Sequence, residues 1–170
     1  MGDVTKLGEI TYCRRWNFDT QEPIDPYTES VAEGLDSSSG DYTVAIFEAR
    51  LKELPDCILE VSWGNDHLGA WFLDDEGRQV LNYGFQKLND RLFLSNIVSY
   101  SYPNRSAESL SGANHVQFLT FSTDGTLREV TIDHDTSARE VVDRNGVDVS
   151  KLWEDLPRFG EWESLMRRER

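Results

Sequence analysis

Two short connections ending in glycine constrain this chain more than any other feature. Asp74-Asp75-Glu76-Gly77 separates residues 68–73 from residues 79–85, and Ser122-Thr123-Asp124-Gly125 separates residues 116–121 from residues 127–133. The flanking segments are rich in β-branched and aromatic residues, which fit a pleated, half-buried surface. Glycine supplies the positive φ that a tight hairpin loop requires, so each stretch predicts two antiparallel strands held in register. Parallel α/β folds, in which a helix follows each strand, are thereby largely excluded.

The same periodicity extends along the chain. Residues 7–18, 42–51, 58–63 and 91–102 read as further strands, with Tyr12, Arg14, Trp16 and Phe18 sharing one face of the first. In residues 58–63, Leu59, Val61 and Trp63 oppose Ile58, Glu60 and Ser62, which predicts one wet face. Residues 91–102 set Leu92, Leu94, Asn96, Val98, Tyr100 and Tyr102 on one side, ending at Pro103. Asn145-Gly146 inside residues 141–149 suggests a third, short hairpin.

Helix signals are few. Residues 19–41 contain Pro23, Pro26 and the run Asp36-Ser37-Ser38-Ser39-Gly40-Asp41, which predicts an acidic loop or a short helix over residues 27–35. Residues 104–114 read as a polar loop. Ser150 as an N-cap, and Trp162, Leu165 and Met166 at helical spacing, predict a C-terminal helical segment over residues 150–170, broken at Pro157. The expectation is a single domain over residues 1–170, mainly β (α+β). Its antiparallel meander curves into a half-barrel or barrel-like sheet, with the C-terminal helical segment packed on it; a two-sheet sandwich is the alternative.

Charge is segregated. Residues 19–76 hold fifteen acids against Arg50 and Lys52, carrying −13 of the net −14. Acidity confined to one region points to a basic partner rather than to a general solubility coating. Phosphate contacts need a basic stripe, and only Arg167, Arg168 and Arg170 cluster, so direct nucleic-acid binding is disfavoured. The opening residues show neither a basic n-region nor an apolar h-region, and no apolar run has the length of a membrane span, so a cytoplasmic protein without membrane contact is expected. Cys13 and Cys57 sit in strand-like segments and read as two buried free thiols.

No motif for a nucleophile elbow, a phosphate loop, a dinucleotide fingerprint or a zinc protease is present. Asp133-His134-Asp135 is the best metal-like cluster, but successive strand residues point to opposite faces, so it reads as a strand entering a polar turn. Neither a metal nor another cofactor is expected, and no residue is assigned a catalytic role. The expected partner-binding residues are the loop and turn acids Asp25, Glu29, Glu33, Asp36, Asp66, Asp74, Asp75 and Glu76, with Tyr27 and Trp71 as aromatic anchors.

These features lead to the expectation of a non-catalytic inhibitor with an acidic face that covers a basic protein. An immunity protein neutralising a bacterial toxin or nucleic-acid-acting effector is the model for such a role. The alternative is a small-molecule-binding β-barrel, of the kind that serves as a hydrolase or isomerase, with Tyr83, Phe85, Tyr100 and Phe118 lining its cavity.

Overall fold

A computed structural model describes residues 8–49 and 52–170. The readings that fall on residues 1–7, 50 and 51, including the ends of two expected strands, lie outside the described residues. The described chain runs β1 (Glu9–Asn17), β2 (Glu22–Tyr27), α1 (Glu29–Ser37), β3 (Asp41–Phe47), β4 (Cys57–Ser62), β5 (His67–Leu73), β6 (Gln79–Leu88), β7 (Arg91–Ser101), β8 (His115–Phe121), β9 (Leu127–Asp133), β10 (Ala138–Arg144) and β11 (Trp153–Asp155). All eleven strands join one antiparallel sheet in the order β10-β9-β8-β7-β6-β5-β4-β3-β1-β2, and β11 pairs with the start of β7. The sheet is open, with β2 and β10 as its edges.

The two glycine turns form as their chemistry dictates. Gly77 and Gly125 take φ of 76° and 85°. Asp74 Oδ1 accepts from the Glu76 N–H at 3.0 Å, and Asp124 Oδ1 accepts from the Thr126 N–H at 2.9 Å. Hydrogen bonding to Thr126 holds the Asp124 carboxyl below the usual carboxylate range.

One face of the sheet, here the inner face, carries the main core: Val44, Ile46, Leu59, Val61, Leu68, Phe72, Tyr83, Phe85 and Leu94. Ala32 of α1 and Leu152, Trp162 and Leu165 of the C-terminal segment are buried in the same core. A smaller cluster of Cys13, Trp16, Ala45, Phe47, Ile58 and Leu73 forms separately, with Phe18 and Trp71 packed against it.

Several expectations are corrected. The C-terminal segment is not helical in the α sense: it forms 3-10 turns at Ser150–Leu152 and Glu163–Met166, with strand β11 following the first. The α-helix among the described residues is α1, capped by Thr28, whose Oγ accepts from the Val31 N–H at 3.3 Å. Residues 22–27, read as loop because of Pro23 and Pro26, pair with β1 as an edge strand, where a missing N–H costs no ladder bond. Ile58 is buried, so only Glu60 is exposed on the supposed wet face of β4. Tyr12 joins the main core, whereas Trp16 and Phe18 belong to the smaller cluster.

The long strand β7 also departs from a single alternation. Phe85 pairs with Leu94 but Gly84 pairs with Asn96, leaving Ser95 as an inserted residue. That bulge turns Leu92 and Leu94 inward and Asn96, Val98 and Tyr100 outward. Residues 141–144 belong to the β9–β10 hairpin, and Asn145-Gly146 is the turn that leaves β10.

Cys13 and Cys57 are free and fully buried. Burial pushes the Cys13 thiol up to about 11 and raises that of Cys57 as well. Neither is expected to react with a thiol reagent at neutral pH until the protein is denatured, when both should react. Stoichiometric labelling of the native protein would contradict this packing.

Candidate binding surface

The acids concentrated in the sequence divide between the two ends of the sheet. Asp66 precedes β5 and Asp74 follows it, so a seven-residue strand separates them, a span of about 23 Å.

At the Asp66 end, α1 presents Glu29 and Glu33 one turn apart, both exposed. Asp36, in the last turn of α1, accepts on Oδ1 from the Tyr42 hydroxyl at 2.7 Å and from the Trp63 indole N–H at 2.5 Å. Burial, then the hydrogen bond to Asp36, raises the Tyr42 pKa, so the phenol stays a donor. Trp63 opens a 3-10 turn, Trp63–Asn65, that ends on Asp66 in the left-handed region at φ 53°. Asp41 joins the group through the register of β3 on β4, which sets it against Ser62; the Ser62 hydroxyl donates to its carboxylate at 2.7 Å. Tyr27, half-buried against the main core, ends β2 just before α1 begins. Glu29, Glu33, Asp36, Asp41 and Asp66 form no ion pair among the described residues. The backbone N–H of Lys87 donates to the Asp66 carbonyl at 2.7 Å.

The opposite end is partly neutralised: Asp56, Asp74 and Glu76 are paired, whereas Glu48, Glu53 and Asp75 are exposed and form no ion pair among the described residues. Arg78 pairs with Asp74 at 2.8 Å and approaches Glu76 at 3.7 Å, and Arg105 also pairs with Glu76. Arg78 stacks on Tyr102 at 4.4 Å and donates to the Asn104 carbonyl at 2.6 Å, tying residues 104–112 to the β5–β6 turn. A cleft of about 500 Å³ opens there, lined by Gln21, Arg78, Arg105, Glu108 and Ser109. Its arginines are already engaged by Asp74 and Glu76.

The remaining expected residues lie elsewhere. Asp25 projects from edge strand β2 and pairs with Arg14 at 2.8 Å. Trp71 stands on the outer face, its indole N–H donating to Glu60 at 3.1 Å, with Phe18 and Tyr100 at ring-centroid distances of 6.1 and 6.3 Å. The sequence therefore marked Glu29, Glu33, Asp36 and Asp66, which fold together, along with Asp25, Trp71 and Asp74 to Glu76, which do not join them. It passed over Asp41 and Glu60, whose positions depend on strand register.

The four residues expected to line a cavity also divide. Tyr83 and Phe85 are buried on the inner face. Phe118 belongs to the cross-strand row that contains Trp71, and Tyr100 packs beside Trp71 on the outer face. Among the described residues no group of three or more His, Cys, Asp or Glu is placed to hold a metal ion, and no helix is long and apolar enough to cross a membrane. Asp133 of the metal-like cluster instead accepts from the N–H groups of Asp135 and Thr136 in the β9–β10 turn, at 2.9 and 3.1 Å.

Compared with known proteins, the chain matches no family model, no curated protein and no solved structure.

Proposed function

We propose that this protein is a non-catalytic binding protein whose α1 end covers a basic partner, in the manner of an immunity protein that neutralises a toxin or nucleic-acid-acting effector. The observation that carries the reading is the gathering of Glu29, Glu33, Asp36, Asp41 and Asp66 at one end of the sheet without compensating ion pairs among the described residues. Such a field speeds encounter with a positively charged protein and repels acidic ones. Asp36 is held by two donors, so its carboxylate is presented in a fixed orientation. His67, His115 and His134 are all exposed, which favours a binding role over acid–base catalysis. On this reading the cell compartment is the cytoplasm.

Retention by the immobilised protein from an extract of the source cell, followed by a salt step, tests the proposal. A basic protein should be held at low salt and released at high salt. Glu29→Gln, Glu33→Gln and Asp66→Asn together should slow its association on the order of tenfold and flatten the salt dependence. Asp19→Asn, Glu53→Gln and Asp75→Asn remove the same charge from outside the α1 group and should leave association nearly unchanged. Equal losses in both variants, or association rates indifferent to salt, would defeat the proposal.

A further inference from the structure

The two edges of the sheet are built differently. Strand β2 carries Pro23 and Pro26 and has Asp25 at φ 50°, devices that deny an incoming strand a regular ladder. Strand β10 has no proline and no positive φ, and pairs with β9 without a break over seven residues.

Hydrogen-bond alternation shows which groups of β10 face outward. The His134 N–H donates to the Asn114 carbonyl at 2.8 Å and the Ser122 N–H to the Thr126 carbonyl at 2.9 Å. Both bonds lie in register with the β8–β9 ladder, so Arg128, Val130 and Ile132 bond to β8, and Leu127, Glu129, Thr131 and Asp133 bond to β10. Their partners Ala138, Glu140, Val142 and Arg144 point inward. The backbone amides and carbonyls of Arg139, Val141 and Asp143 therefore point away from the sheet.

The same residues continue the outer face. Trp71, Asn82, Val98, Phe118, Val130 and Val141 are successive cross-strand partners, an apolar row interrupted by one asparagine. The row stops at the edge with Val141 46 % exposed.

We propose that the β10 edge docks a second copy of this chain, antiparallel, with Val141 facing Val141 across a two-fold axis. In that register Arg139 of each copy faces Asp143 of the other, and each pair of outward-pointing residues exchanges both backbone hydrogen bonds. Asp143 already pairs with Arg128 at 2.8 Å, so the contact extends an existing ion pair into a row of alternating charge. A one-residue slip sets Arg139 against Arg144 and Glu140 against Asp143, and it also aligns outward-pointing groups with inward-pointing ones. A two-residue slip keeps the backbone in phase; in one direction it sets Glu140 against Arg144 but opposes Val141 to Asp143 and carries Arg139 past the end of β10, and in the other it opposes Val141 to Arg139 and Glu140 to Glu140. The proposed register is the one that pairs all three outward-pointing residues with one another and opposes Arg139 to Asp143 on both sides of the valines, and its symmetry is that of an isologous contact between identical chains. The like-charge approach it contains, Glu140 to the second Glu140, is diagonal, and each glutamate is also diagonal to an Arg144 of the other copy.

Sedimentation of the full chain across a concentration series tests the contact. The native protein should self-associate, and Arg139→Asp or Asp143→Arg alone should weaken association on the order of tenfold by opposing like charges twice. An equimolar mixture of the two variants should recover it, because every opposed pair is then attractive. Val141→Pro removes an N–H that points away from β9 and forms no bond among the described residues, and it should abolish association while leaving the circular dichroism spectrum unchanged. A native chain that stays monomeric at millimolar concentration, or a mixture that associates no better than either variant alone, would overturn the proposal.

Discussion

Truncating Trp162 to alanine is expected to destabilise the protein by about 3–5 kcal/mol, a large share of the ~5–15 kcal/mol typical of a domain. Trp162 is fully buried although the segment around it forms no α-helix. Its ring lies 5.9 Å from that of Phe159 and 6.5 Å from that of Tyr42, and Phe159 in turn stacks on Tyr12 at 5.2 Å. These contacts join the C-terminal segment to β1 and β3, so the alanine cavity would open between chain regions far apart in sequence. Trp162→Phe should cost much less: it keeps most of the ring packing, and the indole N–H it removes makes no hydrogen bond of normal geometry among the described residues. Urea unfolding midpoints of the two variants check the prediction. Equal losses for Phe and Ala would show that the indole N–H, and not the packed ring, stabilises the segment.

The same residue shows why part of the fold was legible in sequence and part was not. Trp162, Leu165 and Met166 fall at helical spacing, yet a single 3-10 turn suffices to bury Trp162 and Leu165. Tertiary contacts fix the segment, and Gly160 at φ 85° turns the chain into it. The hairpins around Gly77 and Gly125 were legible because turn chemistry is local. The bulge at Ser95 was not, since period-two alternation resumes after it and its position is defined by the partner strand. A Cβ on Gly84 would lie 3.3 Å from the Asn96 Cβ, a close approach that no reading of β7 alone could supply.

Charge followed the same division. The excess of carboxylates in residues 19–76 is a property of sequence, but Asp66 and Asp74 flank one strand and so finish at opposite ends of it. Arg78 and Arg105, beyond that stretch, return to neutralise Asp74 and Glu76. What survives as an acidic surface is set by which acids the sheet register brings to α1.

Replacing Glu154 by alanine should also cost about 3–5 kcal/mol, for an electrostatic reason. Glu154 lies on β11 opposite Leu92, is 8 % exposed, and accepts from both Arg167 and Arg170. The two arginines are not equivalent. Arg167 is mostly exposed, whereas the Arg170 side chain is 2 % exposed. The Arg170 guanidinium lies over the Phe85 and Tyr83 rings at 5.1 and 5.4 Å and donates to the Ser164 carbonyl at 2.6 Å. Burial pushes its pKa down from the ordinary arginine value, with Glu154 opposing that shift. Without Glu154 a cation would remain enclosed against two aromatic rings with no counter-charge. Arg167→Ala, which removes a solvated partner, should cost under about 1 kcal/mol. Glu154→Leu combined with Arg170→Met removes both charges and should recover most of the stability lost by Glu154→Ala, because apolar packing replaces the pair. Chemical denaturation of the three variants distinguishes the causes. A double variant no more stable than Glu154→Ala would mean that β11 is held by the shape of these side chains and not by the balance of their charges.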